Sequence, residues 1–331
     1  MIVVTGGAGF IGSVLAWKLN QMGRRDILVV DALRSGEKWK NLSKRQIWGV
    51  VHKDEFIQWL QVAPEAKEIE AIVHLGACSS TTERDVDYLN GNNTHYSMYL
   101  FRYASEHQIP FIYASSAATY GDGETGYSDD PALLDTLRPI NPYGWSKQLF
   151  DGWVQQQKPA QQPPFWCGLK FFNVYGPNEY HKDSMQSLVA KAVPQIASTG
   201  GLRLFESHRA GIAHGEQQRD FVYVKDVVEV LAHLLENVRK GTMQSGIYNL
   251  GTGKARSFAD LGRAVFQAMG KKVQFEWVPM PEALRGQYQY FTEADMTRFR
   301  KGVGYTHAFR SLEEGVKEYV QGQLTQSDLY L

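Results

Sequence analysis

Two cysteines in 331 residues, Cys78 and Cys167, are too few for a disulfide framework. No apolar stretch reaches the roughly 18 residues a membrane helix needs. Neither sign of charge prevails, with 35 Lys+Arg against 35 Asp+Glu, so the basic excess expected of a nucleic-acid binder is missing. The nine histidines show no H-x-x-x-H or Cys/His ligand spacing, and no metal is predicted. Met1-Ile2-Val3-Val4-Thr5-Gly6 has no basic n-region and carries glycine where a signal peptide needs an apolar core. What is present is 43% hydrophobic and 21% charged residues, enough to build a core. These features predict a soluble, cytosolic, enzyme-sized protein of about two domains.

Ile2-Val3-Val4, Ile27-Leu28-Val29-Val30, Ala71-Ile72-Val73 and Phe111-Ile112-Tyr113 read as buried strands. Between them Phe10, Ile11, Val14, Leu15 and Leu19 recur at helical spacing, as do apolar residues from Thr94 to His107. This β-α-β-α rhythm predicts a parallel sheet with helices on both faces. Further strands are expected over 165–172, 221–224 and 247–250, a helix over 185–197, and a loop over 207–218. The predicted division is a dinucleotide-binding unit of 1–172 with 220–256, and a discontinuous substrate lobe of 173–219 with 257–331.

Gly6, Gly9 and Gly12 follow the first strand and open the first helix. Their spacing supplies a tight turn, room for a pyrophosphate, and close helix–strand packing, while the helix N-terminus offers free N–H groups to the phosphates. Asp31, nineteen residues past Gly12, ends the second strand, where an acid binds ribose hydroxyls. Arg34, Lys38 and Lys53 follow, and cations there suit a 2′-phosphate. The residues alone leave NAD and NADP open. Tyr143 and Lys147 lie four apart, on one helix face. A neighbouring ammonium favours phenolate, so Tyr143 is expected to be tuned down from ~10 and to exchange a proton while a nicotinamide exchanges hydride. Ser116, ending the Phe111 strand, is placed to hydrogen-bond the reacting oxygen.

This constellation resembles the extended short-chain dehydrogenase/reductases, many of which act on nucleotide sugars. The matching motifs run from Tyr113–Gly121 through Asn141–Gly144 and Asn173–Pro177 to Arg219–Val224 and Tyr248–Gly253. Gly76–Glu83, His181–Met185 and Gln287–Thr292 narrow the likeness to the ADP-L-glycero-D-manno-heptose 6-epimerases of lipopolysaccharide synthesis. The resemblance implies a doubly wound parallel sheet of the Rossmann type with a smaller α/β substrate lobe, tightly bound NADP, an ADP-heptose substrate and a homo-oligomer (pentamer or decamer). By motif, the cofactor contacts are Phe10, Ile11, Asp31, Ala32, Lys38, Lys53, Leu75, Gly76, Ala77, Cys78, Ser79, Asn92, Lys147, Val174 and Lys182, besides the three glycines. The substrate contacts implied are Asn173, Ser184, Lys191, Phe205, Glu206, Ser207, His208, Arg219 and Tyr288. A guanidinium at Arg219 can grip a pyrophosphate, the competing reading being an ion pair with Asp220.

The matching lysine, Lys182, is implied as a second acid/base opposite Tyr143, joining Ser116 and Lys147 in the catalytic set. A desolvated, cation-rich pocket suits that role by lowering its pKa. Two departures stand out: Asp183 replaces the usual Gly, where a carboxylate is expected to raise the Lys182 pKa, and the 209–217 loop is long. The alternatives are a UDP-sugar 4-epimerase, a 4,6-dehydratase, and a non-catalytic NADP-binding sensor. The dehydratase is disfavoured by Ala117 and Ala118 where an acidic pair is needed. The sensor is disfavoured because Tyr143 and Lys147 are both kept.

Overall fold

A computed structural model describes residues 1–286 and 288–331, so Gln287 of the narrowing motif lies outside the described residues. The strands in chain order are β1 (Ile2–Thr5), β2 (Ile27–Asp31), β3 (Gly49–His52), β4 (Ala71–His74), β5 (Phe111–Ser116) and β6 (Trp166–Phe171). They continue with β7 (Asn173–Tyr175), β8 (Leu202–Phe205), β9 (Gln218–Tyr223), β10 (Gly246–Leu250), β11 (Ala255–Ser257) and β12 (Phe275–Val278).

Seven of them form one parallel sheet in the order β10-β6-β5-β4-β1-β2-β3. Its inner strands are apolar in continuous runs because helices cover both faces: every residue of β1, β2 and β4 is buried. Each such valine, leucine or isoleucine contributes about 1.5–3 kcal/mol by leaving water. The edge strand β3 was not among the expected strands. Its Val50 is 44% exposed and its burial only alternates, so its apolar signal is short and weak.

The chain steps from β1 through β2 to β3 in one direction, then restarts at β4 and proceeds the other way. Crossovers therefore diverge between β1 and β4, opening a crevice at the carboxyl ends of those strands. A three-stranded sheet, β11-β9-β7, and the pair β12-β8 are separate from the seven-stranded sheet. The predicted helix over 185–197 runs Leu188–Thr199, capped by the Ser187 side chain, and residues 206–217 form the expected irregular loop. No helix among the described residues is long and apolar enough to cross a membrane.

Candidate active site

The glycine loop has the shape its spacing implied. Gly6 adopts φ +66°, and a Cβ on Gly12 would stand 2.3 Å from the Gly6 carbonyl oxygen, so a side chain at Gly12 would force the turn apart. The helix Phe10–Gln21 starts after Gly9 with no side-chain cap and no acid in its first turn, leaving its N–H groups toward the crevice. A backbone cradle closed to side chains and rich in free donors fits a dinucleotide pyrophosphate.

Asp31 is 7% exposed and holds this loop. Its Oδ2 accepts from Ala8 N (2.9 Å), and its Oδ1 accepts from Ala32 N (2.7 Å) and Lys38 Nζ (2.5 Å). Lys38 therefore neutralises Asp31 as well as facing the crevice, beside Arg34 and Lys53. Asn41 ties this segment across the site, donating to Ala8 O (2.9 Å) and Asn178 O (3.1 Å).

The helix Pro142–Gln155 begins with Asn141 accepting from Gly144 N (2.8 Å) and Pro142 in its first turn. It places Tyr143 and Lys147 one turn apart against the end of β5. Lys147 Nζ donates to Ala114 O (2.8 Å), and burial pushes its pKa down to about 8, opposed by the Asp151 charge. Tyr143 departs from expectation. Burial raises its phenol above the ordinary value, and the opposing influence is the Ser116 hydroxyl, not Lys147. The reason is geometric: the ammonium is directed at a backbone carbonyl.

Lys182 sits in the turn Tyr180–Met185, its Nζ 5.4 Å from the centre of the Phe10 ring. Burial lowers its pKa as expected. The opposing carboxylate is Glu179, not the neighbouring Asp183, whose side chain is exposed. Glu179 is 1% exposed and accepts from Ser187 N (2.5 Å) and Ser187 Oγ (2.6 Å). Asp183 adopts φ +46°, ψ −116°, a conformation glycine takes freely and aspartate does not.

These groups line one cavity of about 1070 Å³. Every residue assigned by motif to the cofactor lines it, as do Tyr143, Ser116, Lys182 and Asn173. The remaining substrate candidates do not. Ser184 and Lys191 stand just outside, joined by Lys191 Nζ donating to Ser184 O (2.5 Å). Arg219, Tyr288 and the segment after Phe205 form an adjoining cluster. Arg219 is 6% exposed, its guanidinium 5.0 Å from the Tyr288 ring and 5.7 Å from Phe258, which does line the cavity. His208 is bound to Tyr290, Nδ1 to OH at 2.7 Å, and the Tyr288 and Tyr290 rings meet edge to face at 5.7 Å. Phe205 ends β8, and Glu206 N donates to Val278 O (2.9 Å) while Ser207 N donates to His214 Nδ1 (2.9 Å).

The competing ion pair does not form. Asp220 accepts instead from Thr252 N (2.7 Å), Gly253 N (2.8 Å) and Ala294 N (3.1 Å), because successive residues of β9 face opposite ways. Arg219 donates to Gln218 O (2.8 Å), and among the described residues no carboxylate pairs with it. Cys78 is held within the cavity wall by its backbone: Cys78 N donates to Asn93 Oδ1 (2.8 Å), and Asn93 Nδ2 donates to Cys78 O (2.9 Å).

Sequence reasoning missed Asn93, Asn41 and His181. His181 lines the cavity beside Lys182, its pKa lowered to about 4 by burial and by the nearby Lys38 and Lys182 charges. The available signal was adjacency, Asn93 to Asn92 and His181 to Lys182.

Residues 2–251 match the model of the NAD dependent epimerase/dehydratase family. The chain is 51% identical to an ADP-L-glycero-D-manno-heptose-6-epimerase of Fusobacterium nucleatum, covering 100% of both. Among solved structures, the Helicobacter pylori ADP-L-glycero-D-manno-heptose-6-epimerase superposes with a TM-score of 0.77 at 27% identity, covering 97% of this chain and 95% of that one. A UDP-glucose 4-epimerase of Thermotoga maritima is more distant in sequence, at 25% identity with a TM-score of 0.75 and 97% coverage of both.

Proposed function

The chain belongs to the NAD dependent epimerase/dehydratase family, and on that premise we propose that it interconverts ADP-D-glycero- and ADP-L-glycero-D-manno-heptose by inverting C6″. The observation that carries the reading is two proton-transfer groups on separate elements, Tyr143 and Lys182, lining the same cavity as a dinucleotide cradle. The sequence relatives supply the sugar.

The nicotinamide cofactor, when bound, supplies reversible acceptance of hydride from C6″. Tyr143 exchanges the hydroxyl proton in one orientation of the sugar and Lys182 in the other. Ser116 holds the oxygen while it is a carbonyl. Burial favours the neutral form of each base: it keeps Tyr143 protonated, ready to donate, and lowers the cost of a neutral Lys182, ready to accept. Because no net oxidation occurs, the cofactor stays with the protein through the cycle. Lys38, Arg34 and Lys53 favour NADP over NAD, with Asp31 neutralised by Lys38 rather than repelling a 2′-phosphate. Arg219, buried without a carboxylate, is the donor for the substrate pyrophosphate. The lobe boundaries drawn from the sequence, a cytoplasmic setting in lipopolysaccharide synthesis, and a homo-oligomeric state belong to the same reading.

Half-reactions test it. Tyr143→Phe and Lys182→Ala should each abolish net epimerisation and keep bound cofactor. Loaded with the reduced dinucleotide as hydride donor, each should still reduce a 6″-carbonyl analogue in the orientation its remaining base serves, while the double variant should not. Wild-type epimerisation by Lys182→Ala would reduce the lysine to a loop charge.

A further inference from the structure

Behind the cavity wall lies a buried ion pair that the mechanism above does not use. Asp151 follows Tyr143 and Lys147 at the next helical turn of Pro142–Gln155, so all three share one face. It is 0% exposed and points at the sheet, where Lys170 of β6 is 1% exposed. The two meet at 3.1 Å, Lys170 Nζ to Asp151 Oδ2. The same Oδ2 accepts from Ser115 Oγ (2.6 Å), and Oδ1 accepts from Tyr113 OH (3.0 Å). Lys170 Nζ also donates to Thr119 Oγ1 (2.6 Å) and lies 4.9 Å from the centre of the Tyr120 ring. Thr119 Oγ1 in turn donates to Ser116 O (2.8 Å).

A continuous chain of contacts thus runs from the proton-transfer helix, through two buried charges, to the backbone of the serine that faces Tyr143. The register of the sheet makes it possible, since Ser115 pairs with Lys170 and both side chains project to the helix side. Burying two charges is costly, and an apolar pair of similar volume would serve the fold as well or better. Retention of charge here points to a task other than stability.

We propose that Asp151 and Lys170 are positioning residues for the epimerisation assigned above, fixing Ser116 and setting the field in which Tyr143, one turn from Lys147, exchanges its proton. The inference rests on that functional reading. The groups facing the pair are Tyr113 and Ser115 from β5, Lys147 one turn back on the helix, and Thr119, Tyr120 and Asp129 beyond β5. On the cavity side, Tyr143 and Lys147 are faced by Cys78 and His74. Among these, Cys78 and Asp151 both act on Tyr143 and on Lys147; Asp151 is the carboxylate of the two, and Lys170 is its compensating positive charge.

The test is the pH dependence of kcat with ADP-heptose. Asp151→Asn removes the negative charge and should move the midpoint of the profile down by about one pH unit. Lys170→Gln leaves Asp151 uncompensated and should move it up, while Lys170→Arg should restore the wild-type midpoint. Thr119→Val removes the hydroxyl that joins Lys170 to Ser116 while leaving both charges of the pair in place, and should lower kcat by about tenfold or more with the midpoint moved less than by either charge variant and cofactor still bound. Midpoints that coincide, or that shift in one direction for both charge variants, overturn the inference. If neither charge variant folds, Thr119→Val decides, and wild-type kcat there overturns it. A wild-type protein that does not turn over ADP-heptose overturns the proposed function instead.

Discussion

Replacing Arg219 by methionine should move substrate affinity and fold stability in ways that a structural arginine cannot. The guanidinium is 6% exposed, makes one hydrogen bond to Gln218 O, and is lodged between Tyr288 and Phe258. Burial pushes its pKa down, the signature of a charge lacking compensation in the free protein. Two cation–π contacts at about 0.5–2 kcal/mol each stabilise it. Relief of a buried unpaired charge is of similar size and opposite sign. Thermal stability of Arg219→Met should therefore stay within a few degrees of wild type, or rise. Substrate binding loses a charge-assisted contact of about 1.5–3 kcal/mol, a rise in KM of about 10- to 150-fold. Differential scanning calorimetry and steady-state kinetics read the two quantities separately. A fall in Tm of many degrees with KM unchanged would refute the reasoning and make Arg219 a packing residue.

Lys38→Glu should weaken NADP at least about tenfold more than NAD, because it strips Asp31 of its partner and adds a second negative charge; calorimetric titration with both dinucleotides checks this, and equal losses would count against it. Asp183→Gly should raise Tm by relieving a backbone conformation that costs about 1–3 kcal/mol, and a lower Tm would show that Asp183 makes contacts outweighing its strain. His74 is buried between Thr5 Oγ1 (2.6 Å) and Ser97 Oγ (2.8 Å), and burial lowers its pKa to about 3. The unfolded chain, with His74 near 6.5, binds the proton first. The stability this gives is thus complete above about pH 6.5 and declines as pH falls toward 3, by roughly 5 kcal/mol at most. His74→Gln should flatten urea-unfolding free energies across that window, and an unchanged slope would contradict it.

The parallel sheet was legible because strands buried on both faces carry continuous apolar runs, as in Ile27–Val30. β3 was not, since an edge strand with one valine exposed and the next half-buried carries half the pattern. The glycine turn after β1 was legible because glycine is required where a Cβ would strike backbone 2.3 Å away. Side-chain pairing was harder to read. Lys170 and Asp151 are nineteen residues apart, and only the β5–β6 register shows that they meet. Their helical spacing from Tyr143 was visible, but it marks a shared face without saying what that face meets. The Tyr143–Lys147 electrostatics were misjudged for a related reason, as spacing places an ammonium on a face but does not say which acceptor it chooses.

The central claim is inversion at C6″ by hydride returned within one active site. The direct measurement is NMR of ADP-D-glycero-D-manno-heptose incubated with the protein in D₂O. The account predicts a mixture of the two C6″ diastereomers with no deuterium at C6″. Deuterium at that carbon, or no epimerisation there while UDP-glucose and UDP-galactose interconvert, would contradict it.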